Sequence, residues 1–239
     1  MSTILAIETS ADLASAALLQ DDRVRGERVL LRESVGVQTH SQTILPLVQQ
    51  LLAEAGLRLN ECDAIAFGCG PGSFTGVRTA CGIVQGLAFG ANLPVVPVVT
   101  LLAMAEACRN DHGVTDVLCV LDARMGEVYW AQYRFDTVWH EIVPPTLSSA
   151  EAVMPQGKPA ACGNGLTAYA AAFEGRGLFS AALPQVVPHA REVARLAQVA
   201  HAAGAAIAAR DAQPLYLRNK IALTTAERVQ ERAKKAEAT

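Results

Sequence analysis

Two stretches of this 239-residue chain follow one plan. TILAIETSADLASAALLQDD, from Thr3, and DVLCVLDARMGEVYWAQYRF, from Asp116, each run from an apolar segment into an acid, a short polar turn and a second apolar segment. Glu8 and Asp122 hold the matching acid positions, and a third extended segment follows in each half, VRGERVLL in the first and TVWHEIV in the second. A plan repeated at this scale marks a duplicated supersecondary unit. The apolar runs are short and bounded by polar turns, which predicts strands, and segments of helical spacing lie between them. The expected fold class is therefore α/β, with two duplicated mixed-sheet subdomains and flanking helices. The expected boundaries are 1–103 for an N-terminal subdomain, 104–215 for a C-terminal one and 216–239 for a basic, partly flexible tail.

In THSQTILPLVQQLLAEAGL, residues Ile44, Leu45, Leu47, Val48, Leu51 and Leu52 form a wide apolar face; Thr39, Ser41 or Thr43 can cap the start and Gly56 can end it. Pro46 fits only near the first turn, because it has no N–H to donate. CDAIAFG predicts a strand, residues from about Thr75 to Gly90 a helix, and LPVVPVV a buried strand. From Thr79 to Ala105 there is no charge, a length that can span a bilayer. Asn92, Pro94 and Pro97 punctuate it, so a helix, a turn and a strand are expected rather than a membrane span. Later, KPAACGNGL predicts a strand running into a turn, and REVARLAQVAHAAGAAIAAR an alanine-rich helix.

The six cysteines, Cys62, Cys69, Cys81, Cys108, Cys119 and Cys162, form no C-x-x-C and sit mostly in apolar runs. They read as buried thiols of a reducing compartment, and the N-terminus, without a basic lead, reads as a poor signal peptide; a cytoplasmic protein is expected. A net charge of −3 announces no nucleic-acid field. The tail from Tyr216 carries six basic residues against three acidic ones, reading as a solvated helix that could touch RNA.

CGPGSFTGVR, Cys69 to Arg78, is the candidate phosphate loop: a glycine-rich turn between a strand and a helix leaves N–H groups free for an anion. It has no lysine for a P-loop, its glycines are spaced G-x-G-x-x-x-G, and Pro71 removes one donor. The alternative is a tight turn with Ser73 or Thr75 capping the next helix. In the nucleotide-clamping fold shared by actin, hexokinase and the Hsp70 chaperones, a hairpin in each half grips phosphate and metal. IETS and LDAR could be those hairpins, which makes Glu8, Thr9, Ser10, Gly70, Gly72 and Ser73 weak nucleotide-binding candidates and an ATP-dependent small-molecule kinase using Glu8 and Asp122 the alternative function. Both hairpins are poor in glycine. No pair of histidines has metal-ligand spacing, so no metal is expected. Gly82, Gly86 and Gly90 line one face of the second helix, where each costs about 0.5–1 kcal/mol against alanine. Something must approach that backbone closely: a helix of the same domain, a partner's helix or a ligand.

ILAIETS, HSQTILPLVQQLL, GPGSFTGVRTACGIVQGLA, LDARMGEVYWAQY and PLYLR, in that order, resemble the bacterial TsaB family over nearly the whole chain. The resemblance implies an actin-like, Hsp70-like ATPase fold without catalytic activity of its own. It implies a dimerisation subunit that binds TsaD, the enzyme placing threonylcarbamoyl on adenosine 37 of tRNAs reading ANN codons, with TsaE joining the complex and tRNA contacted indirectly. TsaD-like enzymes hold a metal with H-x-x-x-H on the first helix; here His40 stands first and Ile44 second, so the pair is broken. By the same resemblance the partner interface is expected at His40, Ile44, Leu47, Leu51, Thr75, Arg78, Thr79, Gly82 and Gly86. No cofactor of its own is expected, with ATP or ADP conceivable at a shared interface, and a homodimer is expected when the chain is alone. Glu8 departs from the family, which commonly has Asp at that position.

Overall fold

The computed structural model describes residues 2–22, 26–34 and 40–218. It contains two five-stranded sheets built in the same order. In the first, β1 (Ser2–Glu8), β2 (Ala14–Asp22) and β3 (Gly26–Ser34) form an antiparallel meander, and β4 (Ala64–Gly70) and β5 (Val95–Val99) add in parallel on the other side of β1. The spatial order is β3-β2-β1-β4-β5. In the second, β6 (Asp116–Arg124), β7 (Glu127–Phe135) and β8 (Trp139–Ser149) repeat the meander, and β9 (Ala160–Cys162) and β10 (Ala181–Leu183) repeat the parallel pair. The duplication legible in the sequence is thus a duplication of topology, and the architecture is the actin-like pair of α/β lobes.

The pleat of β1 explains how helices cover the first sheet. Leu5 and Ile7 face α1 (His40–Ala55) and α2 (Phe74–Ala91), among large neighbours such as Leu18, Ile65 and Phe67. Ile4 and Ala6 face the opposite side, where Ala17, Ala64 and Ala66 meet the alanine-rich helix α6 (Ala190–Ala202) through Ala190, Val193, Ala194 and Ala197. Small residues on both surfaces let that helix lie close to the strands. Between the lobes runs α3 (Thr100–His112): Ala103 packs on the first sheet, while Leu101, Met104, Ala105 and Cys108 enter the core of the second. Two short helices, α4 (Gly165–Ala168) and α5 (Ala170–Phe173), cover the other face of the second sheet.

Three expectations change. The lobe expected at 104–215 does not keep its last stretch: α6 packs on the first sheet, and Ile207 bridges to Val95 at the edge of β5. Pro46 lies inside α1, beyond its first turn, on the exposed side; the buried row Ile44, Leu47, Val48 and Leu51 pins the helix on both sides of the break. The tail expected from residue 216 begins docked, since Leu217 and Arg218 are half-buried against the body of the protein. Residues 219–239, which hold the rest of the basic tail, lie outside the described residues. Among the described residues no helix is long and apolar enough to cross a membrane, and the uncharged run resolves into α2, β5 and the start of α3.

Candidate functional site

A cleft of about 300 Å³ opens where the two repeated hairpins face each other. Its walls come from the β1–β2 turn (Ser10 to Asp12), the loop entering α2 (Gly72 to Phe74), the end of β6 (Leu121 to Arg124), Asn164 and residues 215–218.

The two hairpin acids are engaged by their own chain in the same way. Glu8 is fully buried; its Oε1 accepts the N–H of Ser10 at 2.5 Å, and the hydroxyl of Thr100 lies 3.5 Å from Oε2. A side chain at Gly68 would overlap the Glu8 carboxylate, so that glycine makes the room Glu8 occupies. Burial pushes its carboxyl above the ordinary 4.5, against the opposing pull of the hydrogen bonds around Ser10. In the second lobe Asp122 Oδ1 accepts the N–H of Arg124 at 2.7 Å and the hydroxyl of Tyr169 at 2.9 Å, while the Arg124 guanidinium lies 3.0 Å from Oδ2. Each acid therefore closes its own turn by taking the N–H two residues on. Glu8 is turned into the protein and does not line the cleft. Thr9 is likewise turned inward, its hydroxyl donating to the Gly76 carbonyl at 2.8 Å.

The glycine loop is built against this hairpin. A side chain at Gly76 would overlap the Thr9 carbonyl, and one at Gly72 would press on Ser10. The Gly70 N–H donates to Thr100 Oγ1 at 3.1 Å and that of Ser73 to the Ser10 carbonyl at 2.7 Å. Ser73 is the N-cap of α2, its hydroxyl accepting from the Gly76 N–H at 3.4 Å. With Pro71 donating nothing, these groups are spent within the chain itself: the Ser73 N–H on the β1–β2 turn, the Gly70 N–H on Thr100 at the start of α3 and the Gly76 N–H on the cap of α2. The second lobe does the same: side chains at Gly163 and Gly165 would strike Val120. Of the six weak nucleotide candidates, Ser10, Gly72 and Ser73 line the cleft, and Glu8, Thr9 and Gly70 do not.

The chain matches a family model described as TsaD: tRNA N6-adenosine threonylcarbamoyltransferase over residues 33–239. It is 40% identical over 231 residues to the tRNA threonylcarbamoyladenosine biosynthesis protein TsaB of Haemophilus influenzae, covering 92% of this chain and 94% of that protein. It is 38% identical to the TsaB of Escherichia coli, covering 92% and 96%. The solved structure of YeaZ from Pseudomonas aeruginosa superposes with a TM-score of 0.82 at 38% identity, over 91% of this chain and all of that one. The chain belongs to the TsaB family. The long helices α1 and α2 of this TsaB-family chain lie on the same face of the first sheet, and the residues expected to form a partner interface divide between their two sides.

Ile44, Leu47 and Leu51 are buried in the protein's own core and are withdrawn from any surface, because the apolar row of α1 is what fixes it to the sheet. His40 is half-buried, with ring nitrogens 3.2 Å from the Thr9 carbonyl and 3.3 Å from that of Asp12, so it ties the start of α1 to the β1–β2 turn. Among the described residues no cluster of His, Cys, Asp and Glu could hold a metal. Thr75, Gly82 and Gly86 are exposed, and Arg78 and Thr79 are half-buried beside them. Among the described residues, a side chain added at Gly82, Gly86 or Gly90 would meet nothing within 4 Å, so no described element explains the stripe. Phe89 stands beside it, 84% exposed. Sequence reasoning missed Phe89 because periodicity alone assigns a phenylalanine to a core; its place between Gly86 and Gly90 was the available signal. It also missed that Tyr216 and Arg218 line the cleft.

Proposed function

We propose that this chain works in the formation of N6-threonylcarbamoyladenosine at position 37 of tRNAs reading ANN codons, as a non-catalytic subunit that pairs with TsaD and is joined by TsaE. The names of its TsaB relatives and of the matching transferase model support the pathway. The observation that carries the pairing is the open stripe on α2: three glycines with nothing among the described residues against them, beside an exposed aromatic ring. Glycine there costs helix stability and gives a partner helix access to the backbone. Thr75, Arg78 and Thr79 extend the same face, while Ile44, Leu47 and Leu51 belong to the core that holds α1 and α2 on the sheet. The engaged state of Glu8 and Asp122 supports the non-catalytic half of the reading, since a metal anchor needs free carboxylate oxygens facing the cleft.

Mixing the chain with TsaD should give a heterodimer by light scattering, and the chain alone a homodimer at high concentration through the same apolar face. Gly82→Leu and Gly86→Leu should fold normally and weaken pairing by about tenfold or more. Folded variants that pair with native affinity would remove α2 from the interface. Calorimetry with magnesium and ATP separates the remaining reading: tight binding by the isolated chain favours a stand-alone small-molecule kinase, and binding only in the mixed complex places the nucleotide at a shared interface. In this reading tRNA is engaged through the complex.

A further inference from the structure

We propose that residues 212–218 are a strap that latches the two lobes together and fills the mouth of the cleft where a ligand would otherwise enter. The inference rests on the contacts of this chain alone and is independent of the pairing with TsaD.

The strap starts on the first lobe. The Ala212 carbonyl accepts the Gln85 side-chain amide at 3.0 Å and the Cys81 thiol at 3.5 Å, both from α2. The Leu215 N–H donates to the Cys69 carbonyl at 2.7 Å, at the end of β4. Tyr216 then lies over the Arg78 guanidinium, 4.9 Å from ring centroid to carbon, and Phe74 stacks on the same group at 3.1 Å. Arg78 Nη1 is buried and bonded to nothing among the described residues, so stacking is what holds this cation.

The strap ends on the second lobe. Arg218 donates to the Ala123 carbonyl at 3.1 Å and to Glu127 Oε2 at 2.5 Å, and lies 3.4 Å from the Met125 sulfur. Its side chain is only 20% exposed. These contacts embrace the β6–β7 turn, where Arg124 and Met125 both take positive φ, 62° and 59°, a conformation disfavoured for either residue. Arg218 thus fixes a strained turn that forms one wall of the cleft. Leu215, Tyr216, Leu217 and Arg218 themselves line that cleft, together with Gly72 and Ser73. With them in place, its volume of about 300 Å³ is at the lower end of ligand-binding pockets.

Cys69 and Cys81 report on the strap directly: both are buried where it crosses, whereas Cys119 and Cys162 are enclosed in the core of the second lobe. The test uses full-length Tyr216→Ala and Arg218→Ala, with Arg210→Ala, an exposed arginine just before the strap, as control. Alkylation mapped by mass spectrometry should rise about tenfold or more at Cys69 and Cys81 in the two strap variants, with Cys119 and Cys162 still protected. Hydrogen exchange should accelerate together in 214–218, 69–73 and 121–127, and remain native in the control. Native labelling of Cys69 and Cys81 in folded variants overturns the proposal. So does faster exchange confined to 214–218, which would make the segment a passive appendage, and so does simultaneous labelling of all six cysteines, which would mean that the strap opens only by global unfolding. Should Arg218→Ala fail to fold, Glu127→Gln weakens the same anchor by removing one charge and is read identically.

Discussion

At the scale of single residues, two glycines of α2 have opposite meanings. Gly76 exists because the Thr9 carbonyl occupies the place of its side chain; Gly86 has empty space in that direction. Gly76→Ala should cost about 1–3 kcal/mol or more of folding stability, because the overlapped atom is backbone and cannot swing aside. Urea unfolding measures this, and a native midpoint would mean that the loop does not pack on the hairpin. Glu8 carries a pH signature. Burial raises its carboxyl above 4.5, so between 4.5 and its raised value the folded state holds a proton that the unfolded chain releases. The contribution of Glu8 is complete below 4.5 and is lost as pH rises through the folded value. Glu8→Gln keeps an acceptor for the Ser10 N–H and cannot ionise, so its stability should fall less than that of the native protein on going from mildly acidic to mildly alkaline buffer. Parallel unfolding curves for the two proteins across that range would rule out a buried, proton-holding Glu8. Burial pushes the Cys69 thiol to about 12 and that of Cys62 to about 11, so both stay unreactive while the native packing encloses them.

At the scale of elements, α2 is under-stabilised on its outer side and well capped at both ends. Ser73 closes its N-terminus, and Asn92, at φ 54°, closes its C-terminus by donating its N–H to the Ala88 and Phe89 carbonyls. Gly86→Ala should therefore raise stability by about 0.5–1 kcal/mol, readable as a higher melting temperature, since nothing crowds the new methyl. A drop would reveal a contact on that face. Helix α3 escaped sequence reading for a physical reason. Its first nine residues are enclosed except for Leu102, and exposure is confined to its end at Asn110 to His112, so no polar stripe announces its period. Helix α1 was legible because it rests on one sheet and shows water its other side; the same one-sidedness hides Ile44, Leu47 and Leu51 from a partner. The edge strand β8 carries Pro144 and Pro145 in its middle, which limits further strand pairing there.

At the scale of the whole molecule, the chain closes on itself after its second sheet. α6 returns to the first sheet, with Arg191 reaching Asp111 of α3 at 2.8 Å, Arg195 reaching Glu27 of β3 at 2.9 Å and His189 contacting Glu33. A chain ending at residue 189 would bare the alanine-lined face of the first sheet and should lose cooperative unfolding and bind a hydrophobic dye; native-like melting would show that the lobes are independent of α6. What the sequence determined by itself is periodic and local: short apolar strands bounded by polar turns, the repeated hairpin with its acid, the one-sided helix α1, and glycines too frequent for a free-standing helix. These depend on neighbours within a few residues, so they leave a pattern in the order of amino acids. Tertiary structure alone decided which glycines face a carbonyl and which face water, which sheet claims α6, and that Tyr216 and Arg218 cross from one lobe to the other. Those outcomes depend on groups brought together from distant parts of the chain, and no local period encodes them.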